Sequence, residues 1–163
     1  MTVKPVLSYD YSLAESVSAV AAKNHISLFN PIGSGRVLAA GGVFVSFTMT
    51  APGTITTPMR GFRTTAASGG TLVPDSDVCK FVTAHPDPVG VVRIDNPICT
   101  LGPAFFGSPP GVEKRSSTTH QVDIPGGAGR FLIRPGEGIV LRQGPGDVAL
   151  FWNLAIVWAE FDI

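Results

Sequence analysis

Charge is scarce in this chain of 163 residues: 15% of them are charged, and 12 Lys and Arg balance 12 Asp and Glu to a net charge of zero. Nucleic-acid backbones are held by clustered Lys and Arg that displace counterions, so a protein whose main task is to grip DNA or RNA is excluded. The only close basic pairs are Arg60 with Arg63 and Lys114 with Arg115, and either pair suits the rim of a contact with an acidic protein. Cysteine is nearly absent. Cys79 and Cys99 are too few for a disulfide framework and lack the CxxC spacing of zinc and redox sites. Two reduced, partly buried thiols are expected, with a Cys79–Cys99 bridge as the alternative. Long apolar runs are missing too. The longest, Val148–Ala159, is interrupted by Asn153 and falls far short of the roughly 20 residues of a membrane-spanning helix, so no membrane span is expected. The stretch after Met1-Thr2-Val3-Lys4-Pro5 holds Tyr, Asp and Ser in place of an apolar segment, so export by a secretory signal is not expected.

Catalytic groupings are also missing. There is no Gly-x-Ser-x-Gly, and Ser34 between Gly33 and Gly35 belongs to an ordinary turn. Gly144-Pro145-Gly146-Asp147-Val148-Ala149 has the spacing of a dinucleotide-binding loop, but the residues after it have the pattern of a strand instead of a helix. His25, His85 and His120 share no HxH or HExxH spacing. Asp75, Asp77, His85 and Asp87 lie close enough in sequence to collect a hard cation, or to cap turns, and no EF-hand loop accompanies them. Pro135-Gly136-Glu137-Gly138 resembles a glycine-rich turn of the cupins, without the clustered His and Glu those enzymes need. The expectation is a protein with no catalytic residues, no metal and no cofactor.

What the sequence does have is turn chemistry between apolar runs: 19 Gly and 14 Pro in a chain that is 44% hydrophobic. His25–Phe29 ends at Asn30-Pro31, and a turn at Gly33–Gly35 leads into Arg36–Leu38. After Gly41-Gly42, Val43, Val45, Phe47 and Met49 fall on one face and Ser46, Thr48 and Thr50 mostly on the other, the period of a half-buried strand. Further strands are expected at Met59–Thr65, Asp77–Thr83, Val89–Asp95 and around Thr119–Ile124. The clearest hairpin is Arg130–Arg134 and Ile139–Arg142 around the Pro135-Gly136 turn, where Gly136 supplies the positive φ of a type II turn. These features predict an all-β fold, an antiparallel β-sandwich or jelly-roll-like single domain over residues 24–163. Its long loop segment covers residues 96–129. Residues 1–23 are expected to be an N-terminal arm or to carry a short helix, since Ser12-Leu13-Ala14-Glu15 has the form of a capping box and Leu13, Val17, Val20 and Ala21 recur at helical spacing.

From Val148 to Ile163 both faces of the predicted strand are apolar, with Trp152 and Trp158 on one and Phe151 on the other. Such a strand sits in the centre of a sandwich or against a second subunit, and a buried helix over Asp147–Phe161 is the alternative. The tryptophans either fill the core or form a platform for sugars. Phe105-Phe106, adjacent aromatics in a Gly/Pro-rich stretch, either fold back on the core or anchor a partner. Interface candidates are therefore Phe105, Phe106, Phe151, Trp152, Trp158, Arg60 and Arg63.

The layout of Asn24–Phe29, Asn30-Pro31-Ile32-Gly33-Ser34-Gly35, strands with Thr/Gly/Ser-rich loops, Arg134–Leu141 and a terminal Val157-Trp158-Ala159-Glu160 strand resembles small virion proteins of tailed bacteriophages. The resemblance covers most of residues 24–163. It implies a head decoration (cement) protein, a β-sandwich bound as a dimer or trimer to the outer surface of the major capsid protein shell and assembled in the host cytoplasm. The expected partners are the major capsid protein and further copies of the chain, with neither nucleic acid nor membrane. A tail-associated or receptor-binding β module is the second reading, and a small cupin-like enzyme the third.

Overall fold

The computed structural model describes residues 7–17, 22–49, 53–56, 59–107, 112–115, 120–123, 131–145 and 150–163. In chain order the strands are β1 (Leu7–Val17), β2 (Lys23–Phe29), β3 (Arg36–Met49), β4 (Gly53–Thr56), β5 (Arg60–Ser68), β6 (Thr71–Leu72), β7 (Cys79–Lys80), β8 (Val91–Ile94), β9 (Ile98–Gly107), β10 (Val112–Arg115), β11 (His120–Asp123), β12 (Phe131–Ile133), β13 (Gly138–Gln143) and β14 (Leu150–Asp162). Among the described residues the one helical element is a 3-10 turn at Asp75–Asp77. One sheet runs β11-β3-β14-β1-β7, with β12 following β11 along the same edge of β3, and the other runs β6-β8-β2-β13-β5-β9. All pairings are antiparallel, and one series of them nests: β1 with β14, β2 with β13, β3 with β12 and β11, β4 with β10, β5 with β9. The first strands of the chain thus pair with the last in reverse order, the wrap of a double-sheet jelly roll.

Alternation decides which face each strand buries. On β1, Leu7, Tyr9, Tyr11 and Leu13 point toward the core and Ser8, Asp10, Ser12 and Ala14 away from it. The expected helix is absent: Leu7–Val17 is a strand paired over its whole length with β14, so those residues belong to the sandwich and not to an arm. Residues 1–6 and 18–21, where the rest of that expectation falls, lie outside the described set. Helical spacing of Leu13 and Val17 loses here to long-range pairing, and the strict period-two pattern from Leu7 to Leu13 is the signal that announces it. The segment 96–129 holds β11 where a strand around Thr119–Ile124 was expected, and also β9 and β10, where only loop was expected.

β3 runs unbroken through Gly41-Gly42. Its register to β14 shifts between Val157, opposite Gly42, and Trp158, opposite Ala40, so Gly41 is the extra residue of a bulge. The bulge keeps Leu38, Ala40, Val43, Val45 and Phe47 all on the buried side.

The Pro135-Gly136 turn forms as expected, with Gly136 at φ 87° and the Glu137 amide donating to the Arg134 carbonyl at 2.9 Å. Its flanking strands do not pair, however: β12 joins β3 in one sheet and β13 joins β2 and β5 in the other. The turn is an arch between layers, and the Pro31–Ser34 turn between β2 and β3 is a second one stacked beside it. Asn30 holds the two together. Its backbone exchanges bonds of 2.9 and 2.8 Å with Glu137 and Gly136, and its buried amide donates to the carbonyls of Arg36 at 2.8 Å and Ile133 at 2.9 Å. Gly136→Ala is expected to cost about 1–2 kcal/mol, because an L side chain at that φ is strained, and thermal unfolding should show a drop of a few degrees. An unchanged melting temperature would contradict the arch geometry.

Between the layers, Trp152 and Trp158 anchor two ends of one core. Trp152 packs on Phe47 at 4.9 Å between ring centroids, and Trp158 stacks on Tyr9 at 5.6 Å. Both cysteines are free, Cys79 exposed and Cys99 half-buried. Burial raises the Cys99 thiol pKa.

Candidate functional site

The surface that stands out is the outer face of the sheet containing β14. A strand with a buried side normally turns polar residues to solvent on its other side. Instead β14 turns out Phe151, Asn153, Ala155, Val157 and Ala159, while Trp152, Leu154, Ile156 and Trp158 fill the core. Neighbouring β3 contributes Gly42, Phe44, Ser46 and Thr48 to the same face, and β1 contributes Ser8, Asp10, Ser12 and Ala14. Phe44 is 43% exposed and Phe151 41%.

Phe44 can lie down on the sheet because Gly42, two residues before it on the same face, has no side chain: a Cβ there would come within 3.1 Å of the ring. Beside the ring a shallow groove of about 410 Å³ crosses β1, β14 and β3, flanked by Ser12, Ala14, Ser46, Asn153 and Ala155. At the β1 side, Asp10 lies opposite Val157, with a buried carboxylate oxygen, Oδ1, that meets no hydrogen-bond partner. Burial raises its carboxyl pKa above the usual carboxylate value. The result is a broad, small-residue, nearly uncharged sheet face with one aromatic ring lying on it, a surface suited to contact.

The other sequence candidates fall elsewhere. Trp152 and Trp158 are 0% and 1% exposed, which removes them as interface residues or sugar platforms: inward alternation on β14 places both in the core. Phe105 is half-buried, with its ring 4.2 Å from that of Phe131 and over Gly61, where a Cβ would come within 2.7 Å. It closes an edge of the core. Phe106 pairs with Gly61 in register, and its side chain lies outside the described set. Arg63 is occupied by its own fold, donating to the Leu132 carbonyl at 3.1 Å and lying 5.1 Å from the Phe131 ring centre. Arg60 lies 5.1 Å over Phe62, and its Nε is buried without a partner. Only Phe151 of the seven is on the uncharged face, and Phe44, which shares it, was not among the sequence candidates. The signal that bears on it is the alternation from Val43 to Met49, which sets Phe44 on the same side as Ser46 and Thr48.

Two polar clusters in the interior also escaped the sequence reading. In one, a bulge in β2 at His25 turns that ring inward beside Ile26. Trp152 Nε1, a donor only, meets Gln143 Oε1 at 2.7 Å, so His25 Nε2, 2.9 Å from the same oxygen, carries a hydrogen. His25 Nδ1 then faces the Glu15 carboxyl group at 2.7 Å, and Lys23 pairs with that same carboxyl group. In the other, Glu160 is 1% exposed and accepts from Arg36 at 2.8 Å, from the amides of Val89 and Gly90 at 2.9 and 3.0 Å, and from Trp158 at 3.2 Å. Both clusters knit strands together. Among the described residues no group of three or more His, Cys, Asp and Glu is placed to hold a metal ion, and Asp87 is paired with Lys80 at 2.7 Å.

No helix among the described residues is long and apolar enough to cross a membrane. No family model and no curated protein matches this chain.

Proposed function

We propose that this chain is a structural protein of phage virions, a head decoration protein that binds the outer surface of the capsid shell and stabilises it. The observation that supports this reading is the nearly uncharged outer face of β1, β14 and β3, a surface suited to protein contact on a sandwich whose own core is already filled by the inward side chains. A jelly roll by itself hosts many functions, so the argument rests on this face and on the sequence resemblance to small virion proteins. Shell-stabilising proteins act by bridging neighbours, which requires extended complementary surface and rigid layers in place of a reactive cleft. The stacked arches tied by Asn30 and the two aromatic ends of the core supply that rigidity.

Electron cryo-microscopy of particles carrying the full chain tests the reading. Density on the outer shell at symmetry axes or subunit joints is expected. Density confined to the tail would replace this reading with a receptor-binding module, and purified chain that never associates with particles would overturn it.

A further inference from the structure

We propose that Arg60 and Arg142, side by side on the outer face of the sheet containing β13, form a binding site for a phosphate group. The site lies in the layer opposite the β1, β14 and β3 face and does not depend on the virion reading.

Ladder register builds it. Residues directly opposite one another on antiparallel strands point to the same side, with Cβ atoms about 4.5–5.5 Å apart. On β13, Ile139 and Leu141 fill the core, so the next residue, Arg142, points outward. It lies opposite Asn24 on β2 and Arg60 on β5, and Arg60 in turn lies opposite Gly107 on β9. A row of Asn24, Arg142, Arg60 and Gly107 thus crosses four strands. Both arginines are half-buried, and each is held by a neighbour. Arg142 Nη1 donates to Asn24 Oδ1 at 2.9 Å, and the Asn24 amide is fixed by donating to the Pro97 carbonyl at 2.8 Å. The Arg60 guanidinium rests over the Phe62 ring, and Gly107 has no side chain with which to cover it.

Charge is what sets this row apart. Lys23, Arg36, Arg63 and Lys80 each face a carboxylate. Among the described residues neither Arg60 nor Arg142 does, although like charges opposite each other on a sheet repel. Arg60 Nε is also a buried donor that meets no acceptor, an arrangement that an oxygen ligand would relieve. Lys23, one ladder position beyond Asn24, is already neutralised by Glu15. Two unopposed cations call for two negative charges. A phosphate group carries about −1.5 to −2 at neutral pH and accepts the forked donors of guanidinium groups, so one phosphate balances both arginines where one carboxylate balances half. A single pair on a chain of zero net charge is no track for a nucleic-acid backbone. The ligand is therefore inorganic phosphate or the phosphate monoester of a small molecule.

The test is isothermal titration calorimetry of the full chain at pH 7.5 and constant ionic strength, with inorganic phosphate, methyl phosphate, acetate and chloride as probes. The wild type is expected to bind one phosphate per chain, more tightly than acetate or chloride. Methyl phosphate binding as well as the free ion identifies an ester as the ligand, and much weaker binding identifies the ion itself. Arg60→Gln and Arg142→Gln are each expected to weaken phosphate binding roughly 10-fold or more, while Arg134→Gln, on an exposed turn, leaves it unchanged. Circular dichroism checks that each variant folds. A readout on the wild type alone is the Arg60 Nε–H resonance, which is expected to shift as phosphate is added. If the two side chains serve only to cover the sheet with their stems, the variants lose stability and phosphate changes neither the resonance nor the melting temperature. That result overturns the proposal, as does phosphate binding matched by acetate or chloride, or left intact in both folded variants.

Discussion

Glu160→Ala is expected to destabilise the fold by about 3–5 kcal/mol, a large share of the roughly 5–15 kcal/mol typical of a domain. The carboxylate is buried and accepts from four donors: the Arg36 guanidinium, the Trp158 indole and the amides of Val89 and Gly90. Removing it leaves a partly buried cation and buried N–H groups without acceptors, each of the latter costing about 1–3 kcal/mol where water cannot replace the bond. It also loosens the segment between β7 and β8, which is further held by Tyr9 donating to the Pro86 carbonyl at 3.0 Å, the Phe81 amide donating to the Ser8 carbonyl at 3.1 Å and the Lys80–Asp87 pair. Denaturant unfolding measures the loss directly. Glu160→Gln, which keeps one oxygen, should fall between the two. A loss under about 0.5 kcal/mol for the alanine variant would show that the cluster is solvated in a way the packing does not permit.

Acid is expected to remove about 3 kcal/mol of stability as pH falls from about 6.5 to about 4, through His25. Burial pushes its pKa from 6.5 down to about 4, while the Gln143 hydrogen bond raises it and the Lys23 charge lowers it. In the unfolded chain the imidazole takes its proton near its ordinary value, so below that pH the unfolded state binds more protons than the folded one. The contribution is therefore complete above pH 6.5, declines through the window and levels off below about 4. About 2 kcal/mol of the decline should come between pH 6.5 and 5, before most carboxylates titrate. Unfolding free energies at pH 7.5, 6 and 5 should show this slope in the wild type and lose it in His25→Gln. An equal slope in both would place the titrating group elsewhere.

Strand identity and facing were legible wherever the local pattern and the final packing agree. The two faces of β14 follow directly from alternation, and the free ends of the Pro135-Gly136 turn are marked by residues that only a turn needs. What could not be read is which layer each strand joins. A Pro-Gly turn serves a hairpin and an arch equally, and here the choice is made by Asn30, which reaches across to Arg36 and Ile133. β1 shows the converse: its capping-box residues favour a helix, but Glu15 is engaged by His25 and Lys23, and its backbone by β14. The interior clusters were illegible for a similar reason, since a carboxylate such as Glu160 in a terminal apolar strand gives no sign of the donors that will converge on it. Of the contact face, Phe151 was legible from the two-sided strand. Phe44 required knowing that Gly42 leaves room for its ring and that β3 lies beside β14.

Hydroxyl-radical footprinting of the full chain, free and bound to particles, tests the central claim that the outer face of β1, β14 and β3 is a contact surface. Phe44 and Phe151, each about two-fifths exposed in the single chain, are predicted to lose most of their reactivity on binding, while Ile32, 87% exposed at the tip of an arch, keeps its own. Undiminished oxidation of Phe44 and Phe151 in particle-bound chain would contradict the account.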